Sequence, residues 1–310
     1  MADRYMVTGG AGLVGATVTR ALLDRGDEAT VLDSGVAAGY GYLDGTSARL
    51  VRGDIRDTEA VADALEGCTA IVHLAAQASV PGSIDNPVED LEINVVGSIN
   101  LLEAARSAGI KRIVFSSSSS VVAGHPPPTH EGLVPRPVSP YGAAKSAVEA
   151  YLRAYTEAYA MEGVALRFSN AYGPYSAHKT SVVASFIRAY LDGGPLVIRG
   201  DGQQTRDFVH VADVAAAVIA ALDADAANVS GEVFQVATGI ETSLIELAEL
   251  LFEVGGAPVE IRHEAPSAGD VPRNVNDISK ARRVLGYQPA VSLGDGLAST
   301  LDWFRGYRRT

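Results

Sequence analysis

The chain has 310 residues, 47% of them hydrophobic and 20% charged, with one cysteine (Cys68) and a formal net charge of -12. Length and composition exclude a disordered chain and support one large domain or about two. The lone cysteine excludes an internal disulfide and favours a reducing compartment, and the acidic balance excludes a basic nucleic-acid-binding face.

Any phosphate must therefore be held locally, by backbone N–H groups and placed arginines. No basic-then-apolar leader pattern and no long apolar run is present, so a soluble cytoplasmic protein is expected. Residues 4–8 read as a strand, followed by a glycine-rich turn and an amphipathic helix from about Leu13 to Arg25. Gly26 ends that helix and Ala29–Leu32 reads as a second strand. The alternation continues with a strand at Arg49–Arg52, a helix at Asp57–Leu65 and a strand at Ala70–Leu74. A long helix over Asp90–Ala108 and a strand at Arg112–Ser116 follow. Apolar strands without in–out alternation suit a parallel sheet covered on both faces. Gly124–Ser139 reads as a surface loop. Ser139 and Pro140 then start a helix over about Tyr141–Met161, and Val164–Phe168 is another strand. Beyond Ala171 the texture is less regular, with helices near 181–191, 211–222 and 243–254 and short strands at 196–198, 233–236 and 259–262.

Thr8-Gly9-Gly10-Ala11-Gly12-Leu13-Val14-Gly15 lies between the first strand and its helix. Gly9 permits the tight turn, Gly12 lets backbone approach a pyrophosphate, and Gly15 lets helix and sheet pack closely. The helix N-terminus, with Leu13 and Val14 in its first turn, adds about half a positive charge for the anion. Asp33 ends the second strand, where a carboxylate accepts both ribose hydroxyls and repels a 2′-phosphate. NAD is therefore expected over NADP. The predicted class is α/β, a Rossmann-type doubly wound parallel sheet with a smaller α/β substrate-binding domain.

Tyr141 and Lys145 stand four residues apart at the head of a predicted helix and share one face. A phenol with pKa about 10 is a poor base at neutral pH. An adjacent ammonium, an oxidised nicotinamide and the helix N-terminus all favour phenolate. Lys145 can also hydrogen-bond the nicotinamide ribose. In the upstream run Ser116–Ser120, the hydroxyl of Ser118 can relay or orient a proton. The logic is a base that strips an alcohol proton while hydride leaves its carbon for NAD. The bland alternative for Tyr141 and Lys145 is an exposed helix face.

The Gly-x-x-Gly-x-x-Gly spacing resembles the extended short-chain dehydrogenase/reductase superfamily. Over essentially its full length the chain is similar to the nucleotide-sugar epimerase/dehydratase branch, nearest the UDP-glucose and UDP-glucuronate 4-epimerases. The resemblance implies that Asp54 and Ile55 contact adenine. It implies that Leu74, Ala75 and Ala76 form the loop after the fourth strand, and that Asn94 and Ser116 join the cofactor site. The bland readings are that Asp57 caps a helix and that His73 is a satisfied core residue. Phe115–Val121 resembles the epimerase segment in which a Ser or Thr, here Ser118, stands three residues before the Val. Ser118-Ser119-Ser120 stand where the 4,6-dehydratases typically carry Thr-Asp-Glu and the decarboxylases end in Glu. With no carboxylate there, epimerisation is expected, with Ser118, Ser119, Ser120 and Tyr141 facing the sugar. Val122-Ala123 replaces the family's usual Tyr-Gly, which alters the pocket.

Arg167–Pro174 resembles the family's entry to the substrate domain, and Asn170 matches a diphosphate contact. Gly200–Phe208 resembles another family segment, in which Arg206 matches a diphosphate-binding arginine. A guanidinium fork suits phosphate. The arginine usual two residues before Gly269 is Ser267 here, so Arg262 or Arg273 is expected to stand in. His178 and Lys179 meet either a phosphate or a uronate carboxylate, or else form a solvated loop tip; Lys179 is expected to favour UDP-glucuronate over UDP-glucose. Residues 1–170 are expected to form the NAD-binding domain, with later segments returning to it, and 171–310 mainly the nucleotide-sugar-binding domain. By the same analogy a homodimer forms through helices around 90–107 and 141–160, with Ala143, Ala144, Val148, Ala150 and Ala154 at close approach. The expected partner is a UDP-sugar, with no nucleic acid, membrane or metal. Runner-up readings are keto-sugar reduction, dehydration or decarboxylation, and a non-catalytic dinucleotide sensor, against which the presence of both Tyr141 and Lys145 argues.

Overall fold

The computed structural model describes residues 3–265 and 271–307. In chain order its first six strands are β1 (Arg4–Thr8), β2 (Glu28–Asp33), β3 (Arg49–Arg52), β4 (Ala70–His73), β5 (Arg112–Ser118) and β6 (Glu162–Phe168). Short strands β7 (Asn170–Tyr172), β8 (Leu196–Arg199), β9 (Thr205–Arg206) and β10 (Phe208–His210) follow. Then come β11 (Glu232–Val236), β12 (Thr242–Ser243) and β13 (Ile261–Glu264). One parallel seven-stranded sheet has the order β11-β6-β5-β4-β1-β2-β3. Its central strands are buried on both sides, as the absence of alternation requires; all four residues of β4 are buried.

One face packs Val7, Val31, Val72, Val114 and Val164 against Val18 and Leu22 of helix Leu13–Asp24 and Val214 and Val218 of helix Val211–Asp223. The other packs Met6, Leu32, Ile71, Ile113 and Phe115 against Val61, Leu101, Val148 and Leu152 from helices Thr58–Leu65, Gly97–Ser107 and Pro140–Tyr159. A separate core around Tyr172, Phe186, Leu196, Phe208, Leu247, Leu251 and Phe304 joins the pairs β7–β10 and β8–β13 to helices Val182–Leu191, Leu244–Gly255 and Leu293–Tyr307. β1 lies between β2 and β4, so the chain reverses its direction of travel across the sheet there. In such sheets the crevice at the carboxyl ends of the strands beside this point takes ligands. Among the described residues no helix is long and apolar enough to cross a membrane.

Four expectations change. The helix expected over Asp90–Ala108 starts at Pro87, after Asn86, and carries a π turn at Glu92–Val96 before continuing as Gly97–Ser107. Asn94, inside the π turn, exchanges two hydrogen bonds with the backbone of Gln77, at 2.9 and 3.0 Å. That long-range anchor has no local sequence signature. β5 runs on to Ser118 because Ser117 and Ser118 pair with Arg167 and Phe168 of β6. The strand expected at 259–262 is displaced to Ile261–Glu264, the register that β8 offers. Ala144 and Val148, expected at a dimer face, are buried inside the molecule, Val148 against the sheet. Ser267, Gly269 and Asp270 lie outside the described residues.

His73 closes β4 as a core residue. Thr8 Oγ1 accepts the N–H groups of Leu74 and Ala75 and donates to His73 Nδ1 at 2.7 Å. Nε2 donates to Ser98 Oγ at 2.8 Å, and Ser98 donates to the carbonyl of Asn94 at 2.6 Å. Burial, reinforced by the Lys145 charge, pushes this imidazole down to about 3. An unfolded imidazole protonates near its ordinary value of about 6.5. The stability held by neutral His73 is therefore fully present above that value and is lost as pH falls toward 3. The urea midpoint should fall between pH 7 and pH 4, and fall less in His73→Gln. Equal losses in the two proteins would show that His73 carries none of this sensitivity.

Candidate active site

The glycine turn at the end of β1 is built for close approach. Gly9 has φ +67°, and a Cβ there would lie 2.7 Å from the Ala75 nitrogen. A Cβ on Gly15 would lie 2.1 Å from the Gly9 carbonyl oxygen. Beside Gly12 the space is open, with only the Gly9 oxygen near, at 3.4 Å. No side chain caps the helix that starts at Leu13, and no acidic residue stands in its first turn. The first-turn N–H groups, Leu13 and Val14 among them, are thus left for an anion. Asp33 closes β2 and accepts from the backbone N–H groups of Ala11 at 2.9 Å and Gly35 at 2.7 Å. Its carboxylate is thereby held beside the glycine turn. An open cradle at a helix N-terminus with a carboxylate at the next strand end fits a dinucleotide.

The surrounding residues divide. Leu74 and Ala75 are tied to β1 through Thr8, and Ala76 follows them. Ile55 is buried beneath Gly97, where a Cβ would meet it at 2.7 Å. Asp54 is committed to Arg56, whose guanidinium and backbone N–H bond both its oxygens and hold its carboxyl low. Asp57 caps helix Thr58–Leu65, accepting from Glu59 and Ala60.

Ser139 caps the helix that follows, with Pro140 at its first position, so Tyr141 stands in the first turn and Lys145 one turn below. Lys145 is 2% exposed; its Nζ donates to the Ser116 carbonyl at 2.8 Å and lies 4.7 Å from the Phe115 ring centre. The same Nζ is 5.7 Å from the centre of the Tyr141 ring. Burial pushes Lys145 down to about 7, against the pull of Asp90 and Glu149. Burial also pushes the Tyr141 phenol up to about 12, with a hydrogen bond to Ser118 opposing and the charge of Asp90 adding. Ser118 Oγ bonds Ser120 Oγ at 3.0 Å and accepts the Ser120 N–H at 3.1 Å, so the serine tract is a tight hydroxyl cluster. Ser119 is buried within the same turn. The fold thus gathers Ser116, Ser118, Ser119, Ser120, Tyr141 and Lys145 at the carboxyl end of β5.

Strand pairing brings two further residues near each other. Asn170 begins β7 and pairs in register with Phe208 of β10, two residues past Arg206. Asn170 Nδ2 donates to the Asp207 carbonyl at 3.3 Å. Arg206 Nη1 donates to the carbonyls of Thr205 and Val271, each at 2.7 Å. Arg273 is spread in a fork over Glu241, at 2.6 and 2.7 Å, and is largely exposed. Arg262 is exposed on β13 beside Glu260. His178 turns instead toward Tyr42, with Nδ1 3.5 Å from the phenol oxygen, and burial pushes it down to about 4. Lys179 follows it on the same loop, partly buried, its ammonium disfavoured by that burial. Among the described residues its Nζ has no hydrogen-bond or ion-pair partner.

Sequence reasoning missed a second polar layer. Glu149, one turn beyond Lys145, takes both forks of Arg167 at 2.7 and 2.8 Å and a hydrogen bond from Ser117 at 2.5 Å, all buried. Its signal was present: Glu149 continues the four-residue spacing of Tyr141 and Lys145. Asp90 and Asn94 were read only as parts of a helix and of the cofactor site; in the fold Asn94 bonds Asp90 at 2.9 Å. No group of three or more His, Cys, Asp and Glu among the described residues is arranged to hold a metal.

A doubly wound sheet, an open glycine cradle at its switch point and a Tyr–Lys pair at the carboxyl end of β5 define the class: a dinucleotide-binding fold. Comparison with known proteins narrows it. Residues 5–237 match the model of the NAD dependent epimerase/dehydratase family. The UDP-glucose 4-epimerase of Mycolicibacterium smegmatis is 40% identical, over 97% of this chain and 98% of that protein. A dTDP-glucose 4,6-dehydratase of Streptomyces niveus is 33% identical, over 98% of this chain and 94% of that one. The crystal structure of a Thermotoga maritima UDP-glucose 4-epimerase with UDP-glucose superposes with TM-score 0.92 at 35% identity, covering 98% of this chain and 99% of that one. A Bacillus cereus UDP-glucuronic acid 4-epimerase, in complex with UDP-glucuronic acid and NAD, gives 0.91 at 28% identity, covering 98% and 99%. The chain belongs to the NAD-dependent epimerase/dehydratase family.

The buried Glu149–Arg167 pair yields a test of the layer beneath Lys145. Removing one partner strands the other charge, at a cost of about 3–5 kcal/mol. Glu149→Gln should lower the urea-unfolding free energy by that order, and a loss below about 1 kcal/mol would show that the pair is solvated.

Proposed function

We propose that this protein is an NAD-dependent UDP-hexose 4-epimerase. The observation that carries the reading is the composition of the cluster around Tyr141: three serine hydroxyls at 118–120, with no carboxylate among them. Eliminating water from a hexose needs an acid for the leaving hydroxyl and a base for the carbon-bound proton. Inverting C4 needs one acid–base group used twice. The family and its epimerase relatives support the same reading.

Bound NAD supplies the acceptor, and later the donor, of the C4 hydride. Tyr141 Oη takes the proton of the C4 hydroxyl and returns it to the same oxygen at the end. The Lys145 ammonium, below the ring, favours the phenolate that this step requires. Ser118, next to Tyr141, orients the hydroxyl that loses the proton. Between the two transfers the 4-keto sugar must present its other face, so the nucleotide is gripped and the hexose held loosely. Asn170 and Arg206 are assigned to the diphosphate, with Arg273 beside them once its fork leaves Glu241. Arg273 replaces the arginine missing at Ser267. Lys179, with no side-chain partner among the described residues, is assigned to a C6 carboxylate, which makes UDP-glucuronate the favoured substrate. The helices that would join two copies carry exposed apolar side chains at Val88, Leu91, Val96, Tyr151 and Tyr159, and a homodimer is part of the proposal.

Purified protein without added cofactor should convert one of UDP-glucose, UDP-glucuronate and UDP-N-acetylglucosamine to its C4 epimer, followed by proton NMR. Tyr141→Phe and Lys145→Met should each lower kcat by about 10²–10⁴-fold without unfolding the chain; near-normal turnover by Tyr141→Phe would refute the assignment. Lys179→Ala should lower kcat/KM for UDP-glucuronate relative to UDP-glucose, and an unchanged ratio would remove Lys179 from sugar selection.

A further inference from the structure

Asp90 is a charge for which the proposed reaction has no use. It is 1% exposed, in helix Pro87–Leu91, which packs against the helix bearing Tyr141 and Lys145. Asn94 Nδ2 bonds its Oδ1 at 2.9 Å, and its Oδ2 is buried without a hydrogen-bond partner. Buried carboxylate oxygens without partners are rare, because desolvation is then uncompensated. The groups facing it are few. From the neighbouring helix come Tyr141 and Lys145; Glu149, a turn further along it, acts on Lys145. His73, at the end of β4, is neutral and feels the charge of Lys145. On its own helix Glu89 and Glu92 are exposed. Burial holds the Asp90 carboxyl above its ordinary range, and Lys145 pulls it back. Among the described residues, Asp90 is also the one carboxylate whose charge acts on both Tyr141 and Lys145.

We propose that Asp90 is the counter-charge of Lys145, its free Oδ2 reaching the ammonium through one buried water. It acts as a positioning residue: it keeps Lys145 charged beneath Tyr141 and touches no reacting atom. A polar, enclosed gap between a carboxylate and an ammonium is where a bridging water finds its two to four partners. What the pair does rests on the reaction proposed above; whether the pair exists does not.

A double-mutant cycle tests the pair without reference to turnover. Urea unfolding at pH 7.5 is measured for the wild type, Asp90→Asn, Lys145→Met and the double variant. Asp90→Asn should lower the urea midpoint in the wild-type background and lower it clearly less with Lys145→Met; equal losses would overturn the proposal. If Asp90→Asn does not fold, the double variant should, and failure of both would overturn it. With a sugar that turns over, Asp90→Asn should move both limbs of the pH–kcat profile toward lower pH. The acid limb moves because the Tyr141 phenolate loses a like charge nearby, and the alkaline limb because the Lys145 ammonium loses its partner. Asp90→Glu should restore both limbs. A lower kcat with unmoved limbs would make Asp90 merely structural and overturn its role. A coupled cycle in a protein that converts none of the sugars would leave the pair standing and remove the reaction.

Discussion

The structure depends on keeping one ammonium out of water. Lys145 is buried below the carboxyl end of the sheet, where a charge costs several kcal/mol unless it is matched. The matching comes from several directions: the Ser116 carbonyl, the face of Phe115, and the carboxylates of Asp90 and Glu149. β5 supplies the first two and the helices supply the others, so strand and helices must keep their spacing for the charge to survive. The same constraint sets the chemistry. A buried ammonium near its own titration point, below a phenol pushed up by burial, is a pair whose protonation states respond to any charge added above them.

A second layer braces the first. Glu149 joins helix Pro140–Tyr159 to β5 through Ser117 and to β6 through Arg167. A buried ion pair is weak evidence for stability, yet its bidentate geometry fixes how the helix sits on two strands. β6 then passes into β7, whose pairing with β10 sets Asn170 beside the segment holding Arg206. The strands that brace the ammonium therefore also deliver the residues assigned to the diphosphate. Asp207, fully buried, ties this junction together by accepting from Thr238, Gly239 and Asn276.

Much of this was legible in the sequence because its signals are local. Gly9, Gly12 and Gly15 with Asp33 mark a βαβ unit within some thirty residues, and backbone sterics decide such a turn with little help from the rest of the chain. Ser139-Pro140 announces a helix start, and the four-residue spacing puts Tyr141 and Lys145 on one face wherever that helix lies. The misreadings share a cause. The π turn answers to Gln77, β13 answers to β8, and Val148 answers to the sheet above it. Each is settled by a partner far away in the chain, and no window of sequence contains both members.

The sequence by itself determined the element order, the glycine turn, the placement of Tyr141 and Lys145 on one helix face, and the absence of a carboxylate at 118–120. These are matters of period, backbone freedom and residue identity. Only the tertiary structure decided the electrostatics. It buried Lys145, set Asp90 and Glu149 around it, turned His178 toward Tyr42 and spread Arg273 over Glu241. A pKa depends on solvent exclusion and on charges within a few ångströms, and both arise only when segments remote in sequence pack together.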